Sequence, residues 1–200
     1  KKRHINFHDT PSVRIMGTYC VGKSYFCQKL SNIYDVSYPL ATGYLELFNV
    51  YYIDSNNNEY SFNIINFPPK ISELYKLPLY MYQSYALCLF MFSLDDKQSF
   101  DMIDEYIYYC TKDIPNKEIM IIGNKNDLKP KVSAEEINAK VTAYNAQYIE
   151  ISCFKDTDII ESLKKISKIS NYLYNLEKST SNENKNIKIE TNDHKCLIFW

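Results

Sequence analysis

The chain has 200 residues, a hydrophobic fraction of 46% and a formal net charge of −1. That length holds one domain with a full core plus a tail, and that charge excludes a general nucleic-acid binder, which needs a basic face. No run of about 18 apolar residues marks a membrane-spanning helix. The basic start, Lys1-Lys-Arg-His4, lacks the apolar stretch of a signal peptide. The chain does not begin with Met and reads as processed or as a fragment. Six cysteines, at 20, 27, 88, 110, 153 and 196, form no C-x-x-C pair, so zinc is disfavoured and a reducing cytosolic compartment fits best.

In chain order, residues 12–16 (S-V-R-I-M) read as a short buried strand. Gly17 to Ser24 (G-T-Y-C-V-G-K-S) fits G-x-x-x-x-G-K-[ST]. A helix is expected to open at Lys23 and run to Leu30. Strand, glycine loop and helix N-terminus together aim successive backbone N–H groups and the helix dipole at an anion. Thr18, Tyr19, Cys20, Val21 and Gly22 line that cradle in this reading. Lys23 bridges terminal phosphates, and Ser24 offers its hydroxyl to Mg2+. A plain glycine turn with Lys23 and Ser24 present by chance would show the same letters. Glycine use weighs against it: the chain has four, Gly17, Gly22, Gly43 and Gly123, and two fall in this loop. The other two flank the further candidate elements.

A polar, aromatic loop follows at 31–43. Residues 44–54 and 60–66 then read as strands joined by the Ser55-Asn-Asn-Asn58 turn, an antiparallel hairpin. Phe67-Pro-Pro69 breaks regular structure, leaving a loop and a short helix up to Tyr82. Residues 86–93 are continuously apolar, the mark of a strand covered on both faces. Residues 99–111 put Phe100, Ile103, Ile107 and Cys110 at helical spacing, and 118–122 form another buried strand. Ser133-Ala-Glu-Glu136 is a capping box opening a helix to about Asn145. Residues 148–152 are the last strand, and 158–176 carry Ile159, Leu163, Ile166 and Ile169 on one helical stripe. The expected fold is α/β: a six-stranded, mostly parallel sheet with one antiparallel strand, flanked by about five helices. Ligands of such sheets sit at the carboxyl ends of the strands.

At one of those ends stands Gly123-Asn-Lys-Asn-Asp127, which contains N-K-x-D. A carboxylate at Asp127 can accept from both N1–H and the exocyclic N2 amine of guanine. Adenine offers neither donor there and would leave the carboxylate desolvated and unpaired. Asn124 can tie this loop to the phosphate loop while reading the purine's other edge, and the Lys125 stem can lie on the base plane. Asn and Asp are also ordinary turn residues. The strand in front and the phosphate loop upstream favour guanine reading over a bare turn.

On these stretches the chain resembles a Ras-superfamily small GTPase, nearest the Rab branch, over roughly Pro11 to Tyr174. Leu94-Asp-Asp-Lys-Gln-Ser-Phe100 is similar to the family's segment after the fourth strand. Glu150-Ile-Ser-Cys153 resembles the family's Ser-Ala-Lys loop, in which a backbone N–H meets the guanine carbonyl. Ser152 matches; Cys153 replaces the Ala, and Phe154 replaces the Lys, which makes base packing there apolar. The resemblance implies a P-loop NTPase fold of three α/β/α layers, with an N-terminal extension at 1–10, the GTPase domain at 11–176 and a flexible tail at 177–200. It also implies GTP or GDP with Mg2+, protein effectors, exchange and activating factors, and a trafficking role in the cytoplasm, peripheral on an endomembrane.

Several family positions are altered. The first-switch threonine that binds Mg2+ and the γ-phosphate falls on Thr42, eighteen residues after Ser24. The Rab-type Thr-Ile-Gly, anchored on Gly43, would put Ala41 there instead; Thr42 is preferred because it has the hydroxyl. Tyr34 is the candidate to pack on the base edge. In the second switch, Asp-x-x-Gly-Gln aligns with Asn66-Phe-Pro-Pro-Lys70. Asn66 is neutral where the metal's Asp should be, Pro69 has no N–H to give, and Lys70 at the catalytic Gln position cannot accept a hydrogen bond from water. Tyr19 and Cys20 replace small residues, and a Tyr ring there competes with the attacking water or an activator's arginine. Hydrolysis in this family is mostly positioning and charge stabilisation, so weak or absent turnover is expected and no residue is assigned as catalytic. Another carboxylate serving the metal is the open alternative.

The only arginines are Arg3 and Arg14, so an intramolecular arginine finger is not expected. Cys196 stands one residue too far from the end for C-a-a-X; either a longer variant is lipidated or Leu-Ile-Phe-Trp is itself an apolar anchor. A pseudo-GTPase scaffold is the second functional class. A small nucleotide kinase is the third, disfavoured because Asn124-Lys-Asn-Asp127 has no role in one.

Overall fold

Alternating apolar runs and amphipathic stripes assemble, in a computed structural model, as β1 (Ser12–Met16), α1 (Lys23–Asn32), β2 (Leu40–Thr42), β3 (Leu45–Ile53), β4 (Glu59–Asn66), α2 (Ile71–Leu74), β5 (Leu87–Ser93), α3 (Lys97–Asp101), α4 (Ile103–Thr111), β6 (Glu118–Asn124), α5 (Ala134–Ala143), β7 (Gln147–Glu150) and α6 (Asp156–Asn192). The structure describes residues 10–32, 40–42, 45–74, 87–111 and 117–192. Tyr34, Gly43 and Cys196 lie outside them.

The strands form one sheet ordered β2-β3-β4-β1-β5-β6-β7. β4, β1, β5, β6 and β7 are mutually parallel, and β3 runs against β4. The sequence predicts six strands; the seventh is β2, a three-residue edge strand in the stretch read as loop. It pairs antiparallel with β3, so it runs with the others and β3 stays the one reversed strand.

β5 shows why the sheet is sandwiched. Strand side chains alternate faces, and every β5 residue is buried. Leu87, Leu89 and Met91 join Phe26 and Leu30 of α1 and Ile159, Leu163 and Ile166 of α6. Cys88, Phe90 and Phe92 join Phe100, Ile103, Ile107 and Ile137 from α3, α4 and α5. Each such side chain, fully buried, contributes about 1.5–3 kcal/mol. The layers are therefore helix, sheet, helix.

Two helices differ from expectation. The segment 99–111 begins earlier and is broken at Met102, because the Asp96 side chain accepts from the Gln98 and Ser99 N–H groups and starts α3 before Ser99. α6 does not stop near Leu176 but continues to Asn192; residues 177–192 contain neither Gly nor Pro to end it. The Ser133/Glu136 capping box is present at the start of α5. Among the described residues no helix is long and apolar enough to cross a membrane.

Candidate nucleotide-binding site

Parallel β4, β1, β5 and β6 end at one edge of the sheet, so the loops that follow them converge. The loop after β1 turns on Gly17 (φ 148°) and Gly22 (φ 103°). A Cβ at Gly17 would fall on the Met91 carbonyl oxygen, and one at Gly22 on the Asn124 side-chain nitrogen. Only glycine lets the loop lie this close to β5 and under Asn124. Cys20 adopts φ 59° without being glycine, and both Cys20 and Tyr19 face solvent. Lys23 folds back over the loop and donates to the Gly17 and Thr18 carbonyls, at 2.7 Å each. Burial lowers its pKa to about 8, partly offset by Glu46 and neighbouring thiols.

Asn124 closes β6 and joins three chain segments. Its Nδ2 donates to the Val21 carbonyl at 2.8 Å, and its Oδ1 accepts from the Cys153 N–H at 3.2 Å. The Asn126 N–H donates to the Ile151 carbonyl at 3.1 Å. Lys125 sits at φ 64°, its ammonium 3.7 Å from the Asp95 carboxylate. Asp127 is exposed at the rim. In the neighbouring loop the Ser152 N–H donates to the Asp158 carboxylate at 2.8 Å and Ser152 Oγ accepts from the Phe154 N–H at 3.2 Å. Burial pushes the Cys153 thiol up to about 11, so it is a small neutral filler. Phe154 is 74% exposed, its ring 5.7 Å from that of Tyr25. The structure thus brings Thr18–Ser24, Asn124–Asp127 and Ser152–Phe154 to one mouth. Thr42 and Ala41 lie in β2 nearby in sequence to β3; their backbones pair with Leu45 and Glu46.

The end of β4 supplies the rest. Asn66 pairs directly with Glu46 across the β3–β4 ladder. The Glu46 carboxylate accepts from Ser24 Oγ at 2.7 Å and from Asn66 Nδ2, which also donates to Ser24 Oγ at 2.9 Å. Asn66 is 6% exposed, and among the described residues its Oδ1 has no hydrogen-bond partner. Beyond it Phe67 is buried, and the Pro69 carbonyl accepts from the Tyr106 hydroxyl of α4. Burial raises the Tyr106 pKa, which keeps the phenol a donor. Lys70 is exposed.

Among the described residues no group of three or more His, Cys, Asp or Glu could hold a metal. The oxygens of Ser24, Glu46 and Asn66 are hard donors, too few for a complete cage but suited to Mg2+, which takes one or two protein oxygens plus phosphates and water. The sequence reading singles out Ser24 and Asn66 but neither Glu46 nor Tyr106. For Glu46 a signal exists: the turn after Ile53 fixes the hairpin register, which puts 46 opposite 66. Tyr106 comes from packing and has no local signature.

A glycine loop between a parallel strand and a helix, beneath an N-K-x-D loop two strands away, defines the P-loop α/β class. The chain belongs to the Ras family, whose profile matches residues 12–171. It is similar to mouse "Ras-related protein Rab-9B", 35% identical over 85 residues. That similarity covers 39% of this chain and 42% of the relative, and it places the chain near the Rab branch.

Proposed function

We propose that this is a Rab-like small GTP-binding protein that binds GTP and GDP with Mg2+, hydrolyses GTP poorly, and regulates vesicle or membrane traffic at the cytosolic face of an endomembrane. The bridge made by Asn124 between Val21 and Cys153 carries this reading, because it sets the phosphate cradle and the base loop at one fixed spacing. Thr18 to Gly22 cradle phosphates, Lys23 neutralises them, and Ser24 with Thr42 serves the metal. Asn124, engaged on both sides, acts as a strut; exposed Asp127 reads guanine, with Lys125, Ser152, Cys153, Phe154 and Tyr34 around the base. Slow hydrolysis follows from Asn66, Pro69 and Lys70, none of which can do the family's work at its position. Effectors, exchange and activating factors, and membrane contact through the tail carrying Cys196 follow from the family and the Rab-type relative.

A second reading, a scaffold that does not cycle, draws support from one contact. The Tyr106 hydroxyl holds the Pro69 carbonyl, pinning the segment that would have to move with the γ-phosphate. One experiment separates the readings: denature the purified protein and identify the released nucleotide by ion-pair chromatography. Stoichiometric GTP is expected. Stoichiometric GDP would show that turnover, or preference for the diphosphate, survives. No nucleotide, and none taken up on titration with Mg2+ and GTP, would leave the scaffold.

A further inference from the structure

We infer that Glu46 supplies the carboxylate of a divalent-cation site at which position 66 has lost its own. The inference rests on the nucleotide-binding reading above and adds to it a residue from a different strand. Replacing an acid by Asn66 at the end of β4 removes one negative charge from the place where a cation would be held. Glu46 restores that charge from directly across the ladder, where facing side chains start about 4.5–5.5 Å apart at Cβ. Its carboxylate, at the solvent edge of the site, accepts from Ser24 Oγ at 2.7 Å.

The spacing suits the ion. Ligands at 2.0–2.1 Å in an octahedron lie about 2.9 Å from their neighbours. Ser24 Oγ is 2.7 Å from Glu46 Oε2 and 2.9 Å from the Asn66 amide nitrogen, while that nitrogen and Glu46 Oε2, at 2.5 Å, must part slightly to admit the ion. A second, independent feature points the same way. Asn66 is nine-tenths buried, yet among the described residues its Oδ1 has no partner, and an orphaned buried acceptor is costly. Half a turn about Cβ–Cγ exchanges Nδ2 for Oδ1, presents that acceptor to the ion beside Glu46 and Ser24, and turns the amide N–H groups to where Oδ1 lay. Without the ion, the amide N–H and the hydroxyl satisfy the carboxylate. With it, all three groups present oxygen. The same carboxylate also offsets part of the burial of the Lys23 ammonium, so it is held at the phosphate cradle by charge as well as by hydrogen bonds.

The test is the free Mg2+ concentration that half-slows release of a fluorescent GDP analogue, measured on the full chain, with Mn2+ electron paramagnetic resonance as a second readout. Glu46→Gln keeps size and shape and is expected to raise that concentration by at least about 10–100-fold, the range for losing even an outer-shell partner of a metal site. Adding Asn66→Asp to Glu46→Gln should restore it to within a few-fold of wild type and narrow the Mn2+ lines again. A merely structural Glu46 would not be rescued from the opposite strand. If Glu46→Gln binds nucleotide with an unchanged Mg2+ requirement, the inference fails and the nucleotide site stands. If wild type takes up no guanine nucleotide at any Mg2+ concentration, both fall.

Discussion

Asn124→Ala tests whether the mouth is held together by one side chain. Asn124 is 2% exposed, and the two groups it serves, the Val21 carbonyl and the Cys153 N–H, belong to residues that are themselves buried. Truncation leaves an acceptor and a donor without partners, at about 1–3 kcal/mol each. Water entering from the nearby rim softens the loss, so a destabilisation of about 2–4 kcal/mol is expected by urea unfolding of the nucleotide-free protein. Asn124→Asp separates the two bonds. It keeps an acceptor for Cys153 but sets a carboxylate oxygen against the Val21 carbonyl. Desolvation and that contact raise the new carboxyl's folded pKa above its unfolded value, so its protonated form is favoured and can donate to Val21. Stability relative to wild type should therefore recover as pH falls from 7 to 5. A loss below about 0.5 kcal/mol for Asn124→Ala, or an Asn124→Asp defect that ignores pH, would refute the strut.

Two further outcomes follow from the same geometry. Lys23 has a folded pKa near 8 against an ordinary 10.5, so below about 8 it is charged in both states and carries the full desolvation cost, roughly 3 kcal/mol. As pH rises from about 8 toward 10.5 the unfolded chain holds the extra proton, and wild type should gain stability relative to Lys23→Met; a flat difference across that window refutes the shift. Tyr106→Phe removes the donor to the Pro69 carbonyl and should cost about 1 kcal/mol, with faster hydrogen exchange at the Leu74 amide, which bonds to Lys70 at 3.3 Å. Unchanged exchange there would mean that the loop is held by the burial of Phe67 and Leu74 alone.

The sheet was readable because its signals are local. The apolar run of β5 and the flanking glycines describe backbone that must be buried or must turn, and the Ser133/Glu136 box names a helix start outright. What stayed hidden depends on register or on distant packing. β2 is three residues long and lies between Pro39 and Gly43, so it exists only because β3 offers it an edge. α6 overruns Leu176 because a helix without a breaker stops where packing stops helping, and composition gives no such point. Arg14 reads as an ordinary member of a short strand, yet it is fully buried, its guanidinium 5.8 Å from the Phe67 ring.

Asn66 illustrates the difference between reading letters and reading neighbours. Taken along the chain, Asn66-Phe-Pro-Pro-Lys70 is a list of losses: a charge, an N–H and an acceptor. Taken across the sheet, the charge is present on Glu46, 2.7 Å from Ser24 Oγ, while Pro69 still has no N–H and Lys70 no acceptor to give. Holding a cation needs net charge and oxygen, which any nearby strand can supply. Orienting a water against a phosphate needs groups at fixed positions on one loop, and that loop is tied down by Tyr106 with a proline at its centre. On the function proposed above, binding can therefore survive a change of residues that hydrolysis cannot, and the altered second switch is read as slow turnover and not as an empty site.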